Sequence, residues 1–79
     1  MISICVKTIN GKSYNYEIND DSKINDLKEK ILYDIGIPTE YQYLSYKGRL
    51  LHGDKFLYNY LKKQNSPIII FLVHKFLGA

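Results

Sequence analysis

Apolar and polar residues alternate from the first turn of the chain. Ile2, Ile4 and Val6 are interleaved with Ser3, Cys5 and Lys7, a period of two that lays one face of a strand against a core. Asn10-Gly11 follows, and both residue types tolerate positive φ, so a hairpin turn is predicted there. A second alternation, Tyr14-Asn15-Tyr16-Glu17-Ile18, supplies the returning strand. The polar run Asn19-Asp20-Asp21-Ser22 then breaks the pattern with residues suited to a helix N-cap. After it the period changes: Ile24, Leu27, Ile31 and Ile35 recur at helical spacing with charged residues between them. Gly36 suits a left-handed C-cap and Pro38 forbids continuation. A helix is therefore predicted over about residues 23–34.

The second half reads as shorter pieces. Tyr41 to Tyr46 is predicted as a third strand with Leu44 inward, Lys47-Gly48 as a turn, and Arg49-Leu50-Leu51 as a very short fourth strand. His52-Gly53-Asp54 makes another turn, and Leu57-Tyr58-Asn59-Tyr60 suits one turn of 3₁₀ helix. Ser66-Pro67 opens the last strand, Ile68 to Val73, because proline cannot donate to a ladder and belongs at a strand start. That strand is apolar on both faces, which places it centrally, covered by the helix on one side. The expected architecture is α+β, in the order β-β-α-β-β-β, with a mixed five-stranded sheet and one α-helix packed on one face.

Composition narrows the function classes. With 79 residues, 46% of them hydrophobic and 14% aromatic, the chain suffices for one compact domain. A net charge of +3 has only Lys62-Lys63 as a basic pair, thinner than a nucleic-acid face requires. One cysteine, Cys5, excludes an intrachain disulfide and suits a reducing compartment. Lys7, Asn10 and Lys12 interrupt any signal-peptide pattern. The longest apolar run, Ile68 to Val73, falls far short of the about 20 residues a spanning helix needs. The chain is expected to be cytoplasmic or nuclear, monomeric, and without a membrane or nucleic-acid partner.

Catalysis is not expected. His52 and His74 sit in different elements and Cys5 has no evident base, whereas nucleophilic chemistry needs a base within hydrogen-bond reach. Two scattered histidines and one cysteine do not form a metal site. No cofactor and no metal are implied.

Several short stretches, in order, resemble the ubiquitin family over nearly the whole chain. They are Val6-Lys7-Thr8-Ile9-Asn10-Gly11-Lys12, Ile24-x-x-Leu27-Lys28-x-Lys30-Ile31, Gly36-Ile37-Pro38, Leu44-x-Tyr46-x-Gly48-x-x-Leu51, Leu57-x-x-Tyr60 and Ile68-x-Ile70-x-Leu72. The resemblance implies a ubiquitin-like β-grasp domain over residues 1–74 and a flexible tail over 75–79. Two departures bear on the fold. The family favours a hydroxyl cap where Lys23 stands, so Ser22 or Asp21 is expected to cap instead. It also places an apolar core residue where Lys62 stands, so a local shift that uses Leu61 is expected.

The resemblance also implies where function resides. In this family the open sheet face is the main recognition patch, and the matching positions are Ile9, Ser45, Ile69 and Phe71. Tyr43 and Tyr46 are expected to widen the patch, Lys7 and Arg49 to rim it, and Val73 stands where the family's activating enzymes read the tail. Ser45 replaces a large aliphatic residue, so the patch centre has moved. Conjugated family members end in a diglycine, whereas this chain ends Lys75-Phe76-Leu77-Gly78-Ala79. Gly78 would be a conjugation terminus only after loss of Ala79. Lys7, Lys12, Lys28 and Lys30 match family acceptor positions. The leading expectation is a protein-protein recognition module for ubiquitin-pathway or similar receptors. The alternatives are a modifier joined to target lysines through Gly78, and the ubiquitin-like domain of a larger protein.

Overall fold

The computed structural model describes residues 1–61 and 68–75. Five strands and one helix follow in the order β1 (Ile2–Thr8), β2 (Ser13–Ile18), α1 (Ile24–Ile35), β3 (Gln42–Tyr46), β4 (Arg49–Leu50) and β5 (Ile68–His74), with 3₁₀ turns at Thr39–Tyr41 and Leu57–Asn59. The sheet order is β2-β1-β5-β3-β4. β5 lies in the centre, parallel to β1 and antiparallel to β3. This is the expected α+β mixed sheet. The last strand is central because its sequence is apolar on both sides.

The alternation decides what the helix covers. Ile4 and Val6 of β1, Ile18 of β2, Leu44 and Tyr46 of β3, and Ile68, Ile70 and Leu72 of β5 are buried with Ile24, Leu27 and Ile31 of α1. Leu51, Leu57 and Leu61 close the same core. Leu61 takes the inward place, as expected, its N–H donating to the Leu57 carbonyl at 3.0 Å; Lys62 lies outside the described residues.

The turns differ from expectation in detail. At the first hairpin only Gly11 takes a positive φ, of 85°, and its N–H closes the turn on the Thr8 carbonyl at 3.1 Å. Asn10 instead accepts a hydrogen bond from the Thr8 hydroxyl. At the β3–β4 turn both Lys47 (φ 51°) and Gly48 (φ 78°) are left-handed, the geometry that matches the twist of a two-residue hairpin.

The helix start is a correction. Neither Ser22 nor Asp21 caps it: Lys23 is the N-cap and no side chain caps the first amides. Lys23 N–H donates to Asp26 Oδ2 at 2.9 Å. Backbone carbonyls take the place of a cap, Lys55 O receiving Ile24 N–H at 2.8 Å and Gly53 O receiving Asn25 N–H at 3.0 Å. A lysine is tolerated as N-cap because the packed loop satisfies the orphan donors. That packing is close: a Cβ on Gly53 would come within 2.2 Å of the Asn25 side-chain oxygen.

At the other end, Gly36 is left-handed at φ 87° and its N–H donates to Leu32 O. Gln42, 1% exposed, then ties the helix to the sheet. Its Nε2 donates to Lys28 O at 2.9 Å and to Ile37 O at 2.8 Å.

Two stability tests follow from these contacts. Gly36→Ala meets no atom within 4 Å, so its cost is conformational alone, about 1 kcal/mol, read from the urea midpoint at unchanged slope. Gln42→Leu strands the Ile37 carbonyl but also removes Oε1, which has no partner of its own. The loss should therefore fall at the low end of the range for an unsatisfied buried group, about 1 kcal/mol.

Candidate recognition face

Directly paired residues of neighbouring strands share a face, so the register maps the side of the sheet that α1 leaves uncovered. One row crosses all five strands: Ser13 of β2 opposite Lys7 of β1, then Phe71 of β5, Ser45 of β3 and Leu50 of β4. A second row runs Asn15, Cys5, Ile69. Val73 opposite Tyr43 makes a third. Tyr43, Leu50, Ile69 and Phe71 are each between 42% and 53% exposed, a contiguous apolar area of the kind that marks interaction sites. Charge here is sparse. Lys7 is exposed in the middle row, and the Glu17 carboxylate accepts a hydrogen bond from Ser3 Oγ at 2.6 Å.

The expected patch is thus partly assembled and partly rearranged. Ser45, Ile69, Phe71, Tyr43, Val73 and Lys7 share the uncovered face, with Ser45 and Val73 half-buried. Tyr46 does not widen it. It is buried on the helix side, in phase with Gln42 and Leu44. Arg49 does not rim it either. Register places Arg49 opposite Tyr46, and its guanidinium lies 5.4 Å from the centre of the Tyr60 ring. That leaves Leu50 opposite Ser45 on the open side, a residue missed in the sequence. The Leu50-Leu51 doublet was the available signal, since two successive strand residues cannot face the same way. Leu51 is the buried partner. An aliphatic side chain therefore returns to the patch centre from β4, next to the serine on β3.

Ile9, in the turn after β1, is exposed and borders a second apolar feature. A groove of about 290 Å³ runs between the first hairpin, the end of α1 and the end of β5, lined by Ile9, Tyr14, Ile35, Ile37, Leu72 and His74 among others. Of the acceptor candidates, Lys7, Lys12 and Lys30 are exposed. Lys28 is half-buried, and burial lowers its ammonium pKa. Lys75 N–H reaches Tyr41 O at 2.7 Å; Gly78 lies outside the described residues.

A model of the ubiquitin family matches residues 4–75. The chain belongs to the ubiquitin family. Over 59 residues, 75% of its length, it is 34% identical to the large proline-rich protein bag6-A of Xenopus laevis, covering 5% of that protein. Over 57 residues, 72% of its length, it is 33% identical to ubiquitin-like protein 4A-A of Salmo salar, covering 37%. Over 67 residues, 85% of its length, it is 27% identical to ubiquitin-like protein 4A of Oryctolagus cuniculus, covering 43%. This ubiquitin-like chain thus spans less than half the length of these relatives.

On the helix side of this ubiquitin-like domain, Tyr16 carries a buried hydroxyl with no hydrogen-bond partner. Burial pushes its phenol pKa upward, and the Asp34 carboxylate adds to the rise. Asp34, Lys30 and Tyr33 line a small cleft with Tyr16, and the Asp34 carboxylate there favours the protonated phenol. The folded state holds this proton beyond the pH at which the unfolded chain releases it. The stabilisation is complete below about pH 10 and is lost as pH rises further. Urea midpoints measured through the alkaline range should fall less steeply for Tyr16→Phe than for the wild type.

Proposed function

We propose that this ubiquitin-like domain is a protein-protein recognition module that docks partner proteins on the uncovered face of its sheet. The observation that carries the reading is the contiguous row Phe71, Ser45, Leu50 with Ile69 and Tyr43 beside it. The four apolar side chains among them remain about half exposed on one side of the sheet, not scattered over the surface. Aromatic and aliphatic anchors fixed on a preorganised scaffold lose little entropy on binding. Lys7 supplies one charge for register. In this reading the domain binds and does not catalyse. A reducing compartment, cytoplasm or nucleus, accords with the unpaired Cys5. The reading draws on the shared family, whose members include parts of much longer proteins. It applies equally if this domain works as one segment of a longer chain, and the gene's reading frame beyond Ala79 distinguishes those two settings. Conjugation through Gly78 has no support from a described residue.

Affinity capture from an extract of the source organism tests the reading. Ile69→Asp/Phe71→Asp and, separately, Leu50→Asp should lower recovery of the specific partners at least about tenfold. Tyr33→Asp, on the outer side of α1 and 91% exposed, should leave recovery unchanged. Equal recovery from all variants, each confirmed folded by its melting curve, would sink the proposal.

A further inference from the structure

The loop after β4 carries a second aromatic surface, away from the open face. In Phe56-Leu57-Tyr58 the middle residue points into the core, which leaves its two aromatic neighbours outside. Their rings stack at 5.1 Å with an interplanar angle of 9°. The backbone beneath them is pinned. Phe56 bridges to Lys23 at the start of α1. Leu57 N–H donates to Ser22 O at 2.8 Å and Tyr58 N–H to Asp20 O at 3.0 Å. Phe56 N–H donates to Asn59 Oδ1 at 2.8 Å. The stack is therefore a preformed platform whose ordering cost is met in folding. Tyr58 remains half exposed.

Charge decides what suits it. The Lys23 ammonium already lies 5.8 Å over the Phe56 ring, so one member of the stack holds a cation from its own chain. The backbone bond from Tyr58 N–H to Asp20 O brings Asp20, with its chain neighbour Asp21, to the other member's segment, and both are exposed. Neither carboxylate has a hydrogen bond or ion pair among the described residues. An anionic ligand is disfavoured, because the first amides of α1 are spent on Lys55 O, Gly53 O and Lys23 O. A cation with a flat face matches both components. An arginine guanidinium stacks on an aromatic ring and forks to a carboxylate, which an ammonium cannot do.

We propose that Tyr58, stacked on Phe56 and tied through its backbone to Asp20, is a second docking point that receives an arginine side chain from a basic segment of a partner protein, with the carboxylates of Asp20 and Asp21 as its counter-charge. The site is independent of the open sheet face. A domain with both would engage an apolar and a basic element of one partner, the second contact forming intramolecularly and adding avidity.

The test is an amide-resolved NMR titration of the full chain with the capped peptide Gly-Arg-Gly-Arg-Gly, its lysine counterpart and its glutamate counterpart. The arginine peptide should shift the amides of Asp20, Asp21, Phe56 and Tyr58, leave those of Ile69 and Phe71 in place, and saturate with a Kd of about 1 mM or tighter. The lysine peptide should bind more weakly and the glutamate peptide should not shift these signals. Tyr58→Ala and Asp20→Asn/Asp21→Asn should each weaken arginine-peptide binding about tenfold. The second variant keeps the Asp20 backbone carbonyl that holds the loop, so its loss of binding would not reflect unfolding. Ile69→Asp/Phe71→Asp should bind the peptide unchanged, so failure of either proposal leaves the other standing. No shift at these four amides, an equal response to the glutamate peptide, or undiminished binding by the asparagine variant would overturn the assignment.

Discussion

One helix cannot cover two sides of a sheet. The central strand β5 is apolar at every position from Ile68 to Val73, and α1 is the single layer among the described residues that packs on it. Ile68, Ile70 and Leu72 are buried beneath that helix, while Ile69 and Phe71 on the reverse side are left about half in water. Burying an apolar side chain is worth about 1.5–3 kcal/mol, so the exposed pair forgoes stability that a second layer would provide. A domain this small has little stability to spare. The unclaimed burial is available to a partner, and this links the sheet's geometry to the proposed recognition role.

The rest of the domain shows how much a tertiary contact can substitute for a local one. Lys23 stands at an N-cap that ordinarily favours a short polar side chain. The helix begins there because the 53–55 loop delivers two carbonyls to its first amides. The same strap positions Phe56 and Tyr58, so helix capping and the aromatic platform are two consequences of one packed segment. At the far end, Gln42 holds Lys28 O and Ile37 O from the sheet. Its alternation with Leu44 and Tyr46 shows that strand phase, not polarity, assigned it to the interior.

The open face has kept its apolar character while changing which residues supply it. Ser45 occupies the middle of the row, and Leu50 lies directly opposite on β4. The apolar centre has moved one strand outward and left a small polar notch between Phe71 and Leu50. A partner must match that contour, which ties specificity to a two-residue strand whose position depends on the left-handed pair Lys47 and Gly48.

Periodicity alone determined the strands, the helix, the central place of β5 and the exposure of Ile69 and Phe71, because period two and period 3.6 are local properties of the backbone. The same rule, applied strictly, also placed Tyr46 inward with Leu44, so its assignment to the open face was an error of phase. Other features were not legible in that way. Whether Arg49 or Leu50 faced the partner side depended on the register set by the β3–β4 turn. Lys23 became an N-cap through carbonyls more than 25 residues away in sequence. The Phe56–Tyr58 stack arose because Leu57 was drawn into the core. Each of these rests on a contact between distant segments, and no pattern within a single segment carries the energy of such a contact.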